Sequence, residues 1–266
     1  MTEKPPWLGP NAKVNGRLGT TQTTAQVIPD LFTKGMLTAS KATLVEGAVN
    51  GFIIENNQLT NVLVNGSPLK TDSTLIALGP WSVLACRWLP LPGVFGLKGH
   101  SLIFRFNPDD PKALFVKLEY KTGNISTPEV MPRMDGSTYV CGLSGDAPLP
   151  IDPTNVGVEE GGPEKLLEMI KLFSPDLGKA EIISAQACYR PVTQDGLPLI
   201  GAIPNVRGAY ISTGHGVWGM LNGPGSGEAI AELILDGYTH TIDISPFNPN
   251  RLPSLDASSV MEQYSR

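Results

Sequence analysis

A chain of 266 residues can bury a substantial core in one large or two modest domains. Its composition, 41% hydrophobic and 17% charged, is that of a globular, soluble protein, and a net charge of −5 without any basic run argues against a nucleic-acid partner. Three scattered cysteines (Cys86, Cys141, Cys188) in no CxxC pattern argue against a disulfide framework and for a reducing compartment, and three distant histidines argue against a histidine-based metal site.

In chain order, residues 1–20 are rich in Pro, Gly and Asn and are expected to be irregular. Met1 to Pro10 has neither the apolar run of a signal peptide nor a transit-peptide composition, and the final Gln263-Tyr264-Ser265-Arg266 is not a peroxisomal signal, so the cytoplasm is the expected location. A helix is predicted from Gln26 to Ala42, with Pro29 in its first turn and an apolar stripe (Leu31, Phe32, Met36, Leu37) that core packing would explain. Residues 43–78 read as a β-meander. Its strands are Leu44 to Phe52, one containing Leu63-Val64, and Ser73 to Leu78, with turn signals at Asn56-Asn57 and Asn65-Gly66-Ser67. The third strand runs into Gly79-Pro80-Trp81-Ser82, a glycine turn where backbone can approach a ligand. The most apolar stretch, Leu75 to Leu97, is broken by Pro80, Arg87, Pro90 and Pro92, so no membrane span is predicted.

Residues 83–185 read as a second region. Strands are predicted at Leu97 to Phe106, Ala113 to Tyr120 and Ser137 to Gly142, with Glu129 to Arg133 extended or irregular between them. Lys98 and His100 open the first of these strands. They either face a ligand cavity or form a polar strand entrance, the simpler reading. A Pro-rich loop, Pro148 to Pro163, precedes a helix from Glu164 to Phe173 with Leu166, Leu167, Ile170 and Phe173 on one face, stopped by Ser174-Pro175. Residues 180–201 are expected to return as an antiparallel pair around the turn Gln194-Asp195-Gly196.

Cys188 to Gly237 is the most informative stretch: strand, turn, strand, glycine-rich loop, helix. Ala209 to Ser212 is a buried-type strand that breaks at Gly214-His215-Gly216, and glycines recur at 219, 223, 225 and 227. A helix pattern follows, starting near Gly225 and clear from Glu228 to Leu235, with Gly237 as its stop. Strand, glycines and helix start together make an anion-binding or close-approach site. Gly214, Gly216 and Gly219 spell a literal G-x-G-x-x-G. That motif should open a βαβ unit, whereas Thr239 to Asp243 leads only into a Pro-rich tail, expected to be disordered beyond Pro253. His215, between two glycines, brings its backbone more than its ring near a ligand. Arg190, before Pro191 at the end of a strand, either pairs with a structural carboxylate or offers a bidentate fork to a ligand carboxylate. No Ser-His-Asp arrangement, suggestively spaced carboxylate pair or G-x-x-x-x-G-K loop is present.

The segment Arg190-Pro191-Val192-Thr193-Gln194-Asp195-Gly196-Leu197-Pro198-Leu199-Ile200-Gly201, followed by Ser212-Thr213-Gly214-His215-Gly216-Val217-Trp218-Gly219, resembles the C-terminal half of the D-amino-acid oxidase-like FAD-dependent oxidoreductases. That family includes glycine, sarcosine and D-amino-acid oxidising enzymes. The two motifs, in this order and at this separation, are fairly specific, and residues 21–250 can be laid against the family. The resemblance implies an α/β fold with α+β character. A partial FAD-binding domain of the GR2 type would comprise a meander segment (21–85) and a second segment (186–250), with an antiparallel-sheet substrate domain (86–185) inserted and irregular tails at 1–20 and 251–266.

The resemblance also implies FAD as cofactor. Gly79, Pro80 and Trp81 match an ATGxWS-like element beside it, with Leu78 in place of the usual Thr. Gly214, His215, Gly216, Val217, Trp218 and Gly219 match the loop that contacts the flavin. Val49 matches a position that meets adenine through its backbone, although an ordinary strand role is simpler, and Trp218 could equally fill a core. Arg190 takes the place of the residue that anchors a substrate carboxylate. The implied chemistry is oxidation of a small amine or amino acid, with hydride passing from the α-carbon to flavin. Family members begin with a βαβ unit carrying G-x-G-x-x-G and a ribose-binding acid, and neither occurs before residue 43. The chain is therefore expected to be N-terminally truncated, with the strand at Ala209 to Ser212 deprived of neighbours and exposing an edge. The alternative is a non-catalytic binding or regulatory remnant that recognises a carboxylate ligand or a protein partner.

Overall fold

The computed structural model of the chain describes residues 3–120 and 122–263. In chain order the elements are α1 (Pro29–Ser40), β1 (Val49–Glu55), β2 (Gln58–Val64), β3 (Ser67–Lys70), β4 (Thr74–Ile76), β5 (Val94–Arg105), β6 (Leu114–Phe115), β7 (Leu118–Glu119), β8 (Ile125–Ser126), β9 (Glu129–Pro132), β10 (Thr138–Gly145), α2 (Gly162–Phe173), β11 (Glu181–Thr193), β12 (Leu199–Ala202), β13 (Ala209–Thr213), α3 (Gly219–Asp236) and α4 (Ala257–Gln263). A 3-10 helical segment, Gly79–Arg87, follows β4. The chain divides into two compact units. One is residues 1–26 with 97–189; the other is residues 27–96 with 190–266.

The first unit is a five-stranded sheet, order β11-β5-β10-β9-β6, backed by α2. Alternation along the strands sends Leu102, Phe104, Val130 and Val140 to one face, where they meet Leu166, Met169, Ile170 and Phe173 of α2. Residues 129–132, read as extended or irregular, form the strand between β10 and β6. The N-terminal segment has no regular strand or helix, yet it is not a loose tail. Trp7 is part of the core, its indole N–H donates to the Asp110 carbonyl (3.0 Å), and Ser174 Oγ donates to the Trp7 carbonyl (2.8 Å). Lys98 and His100 are buried on the helix side of β5. His100 Nε2 accepts the Glu159 backbone N–H (3.3 Å), and Lys98 Nζ lies 3.4 Å from the Glu159 carboxylate. Both contacts tie β5 to Glu159 of the Pro-rich loop.

In the second unit β1, β2 and β3 form an antiparallel meander. The positive φ values that a type I′ hairpin turn requires fall on Asn56 (50°) and Asn57 (62°), then on Asn65 (50°) and Gly66 (78°), where the sequence signals them. The strand expected to complete this meander, β4, leaves it and pairs in parallel with β13. A second sheet of order β12-β13-β4 results. This corrects two expectations. β13 has a neighbour on each side, so it exposes no edge, and β11 and β12 are not a pair but belong to different sheets. The Asp195 turn between them is real: Gly196 N–H donates to the Thr193 carbonyl (3.2 Å).

Two further expectations fail in this unit. The apolar stripe of α1 is not packed, since the helix has no buried residue and Leu31 is 62% exposed. The C-terminal segment is not irregular. Leu255 N–H donates to the Leu91 carbonyl (2.8 Å), and α4 places Val260 in the core at 1% exposure. The chain beyond Pro253 therefore folds because it has an apolar residue to bury and a carbonyl to meet.

Candidate functional site

The C-terminal end of β13 opens into a cleft of about 360 Å³ within the second unit. Gly79, Gly214, His215, Gly216 and Gly219 line it, joined by Leu75, Ala77, Pro191, Ser212, Thr213, Gly223, Ser226, Gly227 and Ile230. The parallel pairing of β4 with β13 brings the two strand ends together, and with them the glycine turn at 79 and the glycine loop at 214–219. Thr213 fastens them. Its Oγ1 donates to the Gly79 carbonyl (3.0 Å) and accepts from Ser82 Oγ (3.1 Å), both side chains being buried.

Gly214 has φ +82°, and a Cβ there would come within 2.8 Å of Thr193 Cγ2, so only glycine lets β13 turn at this point. The helix begins at Gly219, earlier than the glycines suggested, and crosses Gly223, Pro224, Gly225 and Gly227 before ending at Gly237 in the left-handed region. Packing against β12 and β13 overrides the poor helix propensity of that first stretch. Gly219, Gly223 and Gly227 recur every four residues and so share one face of α3, the face on the cleft. His215 Nε2 lies 2.9 Å from Ser226 Oγ, and burial pulls the ring's pKa below its usual value, which keeps it neutral at pH 7.

Of the other predicted residues, Pro80 is buried and Trp81 partly buried in the 3-10 segment, while Val217 and Trp218 are 59% and 62% exposed. Val49 is exposed at the start of β1. None of these five lines the cleft. Arg190 is half-buried on β11 next to Pro191. Pro191 lines the cleft and Arg190 is not among its lining residues. Sequence reading missed Leu75, Ala77, Thr213, Ser226 and Ile230 as lining residues. The four-residue glycine spacing was a signal for the α3 face, but nothing local announces the contribution of β4. A more open depression of about 660 Å³ lies between the β1–β2 turn and the β12–β13 connection. Its arginine, Arg207, is spent on the Asn56 carbonyl (3.2 Å), and no predicted site residue lines it. Among the described residues no cluster of His, Cys, Asp and Glu could hold a metal, and no helix is long and apolar enough to cross a membrane.

Residues 2–233 match the family model of the FAD dependent oxidoreductases (DAO). The chain belongs to this family. Among curated relatives, TDA3 of Saccharomyces cerevisiae, provisionally named an oxidoreductase, is 31% identical over 70% of the chain and 36% of its own length. A glycine oxidase of Pseudomonas aeruginosa is 26% identical over 76% of the chain and 52% of its own length. The chain thus spans about a third to a half of these two relatives. The fold matches the crystal structure of glycine oxidase from Geobacillus kaustophilus with a TM-score of 0.65 at 24% identity, covering 80% of this chain and 55% of that one.

The family's cofactor is FAD, and the cleft fits part of one. At Gly79, Gly216, Gly223 and Gly227 an added Cβ would meet nothing within 4 Å, so a flat group can lie directly against main chain on several sides. The walls are apolar at Leu75, Ala77, Pro191 and Ile230, and the polar side chains lining the cleft are Ser212, Thr213, His215 and Ser226. The volume is at the small end of the ~300–1,000 Å³ range of small-molecule sites, enough for a ring system and not for a whole dinucleotide.

Proposed function

We propose that these residues form the flavin-facing part of an enzyme that oxidises a small amine or amino acid at the carbon next to nitrogen. The observation that carries this reading is the glycine-walled cleft at the joint ends of β4 and β13, capped by the start of α3. When bound there, FAD supplies the hydride acceptor. The chain's share is binding and orientation. Gly216, Gly219 and Gly223 let a ring pack on backbone, and the first-turn N–H groups of α3 are placed to offset negative charge at that end of the cleft. Val49, Pro80, Trp81, Val217 and Trp218 are proposed contacts for the remainder of the dinucleotide, with Val49 meeting adenine through its backbone. Arg190 is proposed to clamp the substrate carboxylate with its planar fork, which fixes the α-carbon for transfer. The neutral His215 ring, engaged with Ser226, is not needed as a base. Similarity to glycine oxidases supports an amino-acid substrate.

The test is the visible spectrum of the purified chain, incubated with FAD and then desalted. Retained flavin absorbance is expected. Arg190→Ala should keep the flavin and raise KM for an amino-acid substrate by about tenfold or more, the loss of one charged hydrogen-bonded pair. A folded chain that retains no flavin overturns the reading.

A further inference from the structure

Residues 214–216 form one wall of the cleft, and residues 216–218 make a single 3-10 turn that leads into α3. Gly214 (φ +82°) and Gly216 (φ +57°) flank His215, both in the left-handed region that favours glycine. Val217 and Trp218 are exposed. The Trp218 N–H donates to the His215 carbonyl (2.9 Å), a bond inside the loop itself. Among the described residues, the only side-chain hydrogen bond from this loop to another element joins His215 Nε2 to Ser226 Oγ at 2.9 Å.

Ser226 is 9% exposed, on the same face of α3 as Gly219, Gly223 and Ile230. A serine hydroxyl inside a helix usually falls back on a carbonyl of the preceding turn. This one reaches out to an imidazole.

We propose that Ser226 is a positioning residue of the cofactor cleft: its hydroxyl holds the His215 ring in one orientation, and through it fixes residues 214–216 as the wall against which the flavin packs. The inference rests on the reading of the cleft as a flavin site. Ser226 itself lines the cleft, the role assigned to it is exerted through His215, and no proton transfer is assigned to either residue. A free ring nitrogen in a half-buried site would seek another partner, so loss of the hydroxyl frees the ring and removes its tie to α3.

The experiment compares the unaltered chain with Ser226→Ala and Ser226→Thr in two ways. FAD affinity is read from quenching of flavin fluorescence, and the His215 ring is read in flavin-free protein from its 15N chemical shifts. Alanine is a better helix former than serine, so Ser226→Ala keeps α3, which its thermal midpoint checks. Ser226→Ala is expected to weaken FAD binding about fivefold, the equivalent of about 1 kcal/mol, and to move the Nε2 resonance of His215 away from its hydrogen-bonded position. Ser226→Thr, which keeps the hydroxyl, should restore both. If the unaltered chain binds FAD and Ser226→Ala binds it within twofold, or leaves the ring pattern unchanged, the inference is overturned and the flavin reading survives. If the unaltered chain itself binds no FAD, the flavin reading fails and this inference falls with it.

Discussion

Two helices of this chain look alike in sequence and differ in the fold. α1 and α2 each have 12 residues, a proline in the first turn and an apolar stripe at helical spacing. α2 buries Leu166, Met169, Ile170 and Phe173 against the sheet of the first unit. α1 buries nothing, and Leu31, Met36 and Leu37 are exposed. The stripe specifies a helix and a face that favours burial; it does not specify the partner. Local pattern and tertiary packing are separate links, and α1 shows the first without the second.

The contrast can be broken by making the same kind of change in both places. Leu166→Ala should lower stability by about 2–5 kcal/mol, the cost of a buried cavity, read as a loss in the urea midpoint. Gly214→Ala comes next. It forces a side chain into φ +82° and against Thr193, and should cost about 1–3 kcal/mol in the unit that contains α1, showing that this unit depends on its β13 turn.

A smaller effect is expected from Arg251→Ala. The Arg251 guanidinium holds the Asp195 carboxyl well below the usual carboxylate range, with the Leu197 N–H and Thr193 hydroxyl assisting. A depressed folded-state pKa stabilises the fold above the unfolded value near 4 and loses that stabilisation as pH falls through the folded value. Arg251→Ala should therefore cost about 1 kcal/mol at pH 7, and the difference from the unaltered chain should shrink as denaturation is repeated at decreasing pH below about 4. Leu31→Ala in α1 should change stability least, by under about 0.5 kcal/mol. A cost near that of Leu166→Ala would mean that α1 is packed in solution.

Much of the fold could be read from the sequence where the signal is local. The Asn56-Asn57 and Asn65-Gly66 turns, α2 with its Ser174 stop, and the Gly237 cap are set by residues within a few positions of where they act. The placement of β4 could not be read, because Thr74 pairs with Ala209 across more than half the chain and three residues carry no register signal. The site divides the same way. The glycine turn at 79 and the loop at 214–219 announce a close approach to backbone, but Pro191, Leu75 and Ala77 reach the cleft only through sheet topology. The early start of α3 was hidden by its glycines and Pro224, whose low propensity is overcome by contact with β12 and β13. The C-terminal helix was masked by the Pro-rich segment before it.

The most direct measurement is an FAD titration of the unaltered chain beside Gly223→Leu, followed by flavin fluorescence, with thermal midpoints recorded in parallel. Gly223 sits in helical backbone with nothing within 4 Å of an added Cβ, so leucine there fills the cleft without disturbing the fold, and its helix propensity exceeds that of glycine by about 1 kcal/mol. If the cleft takes the flavin, the unaltered chain binds FAD saturably, and Gly223→Leu loses that binding while melting at the same or a higher temperature. FAD binding that is absent from the folded unaltered chain, or equal in the two proteins, would contradict the assignment of the cleft.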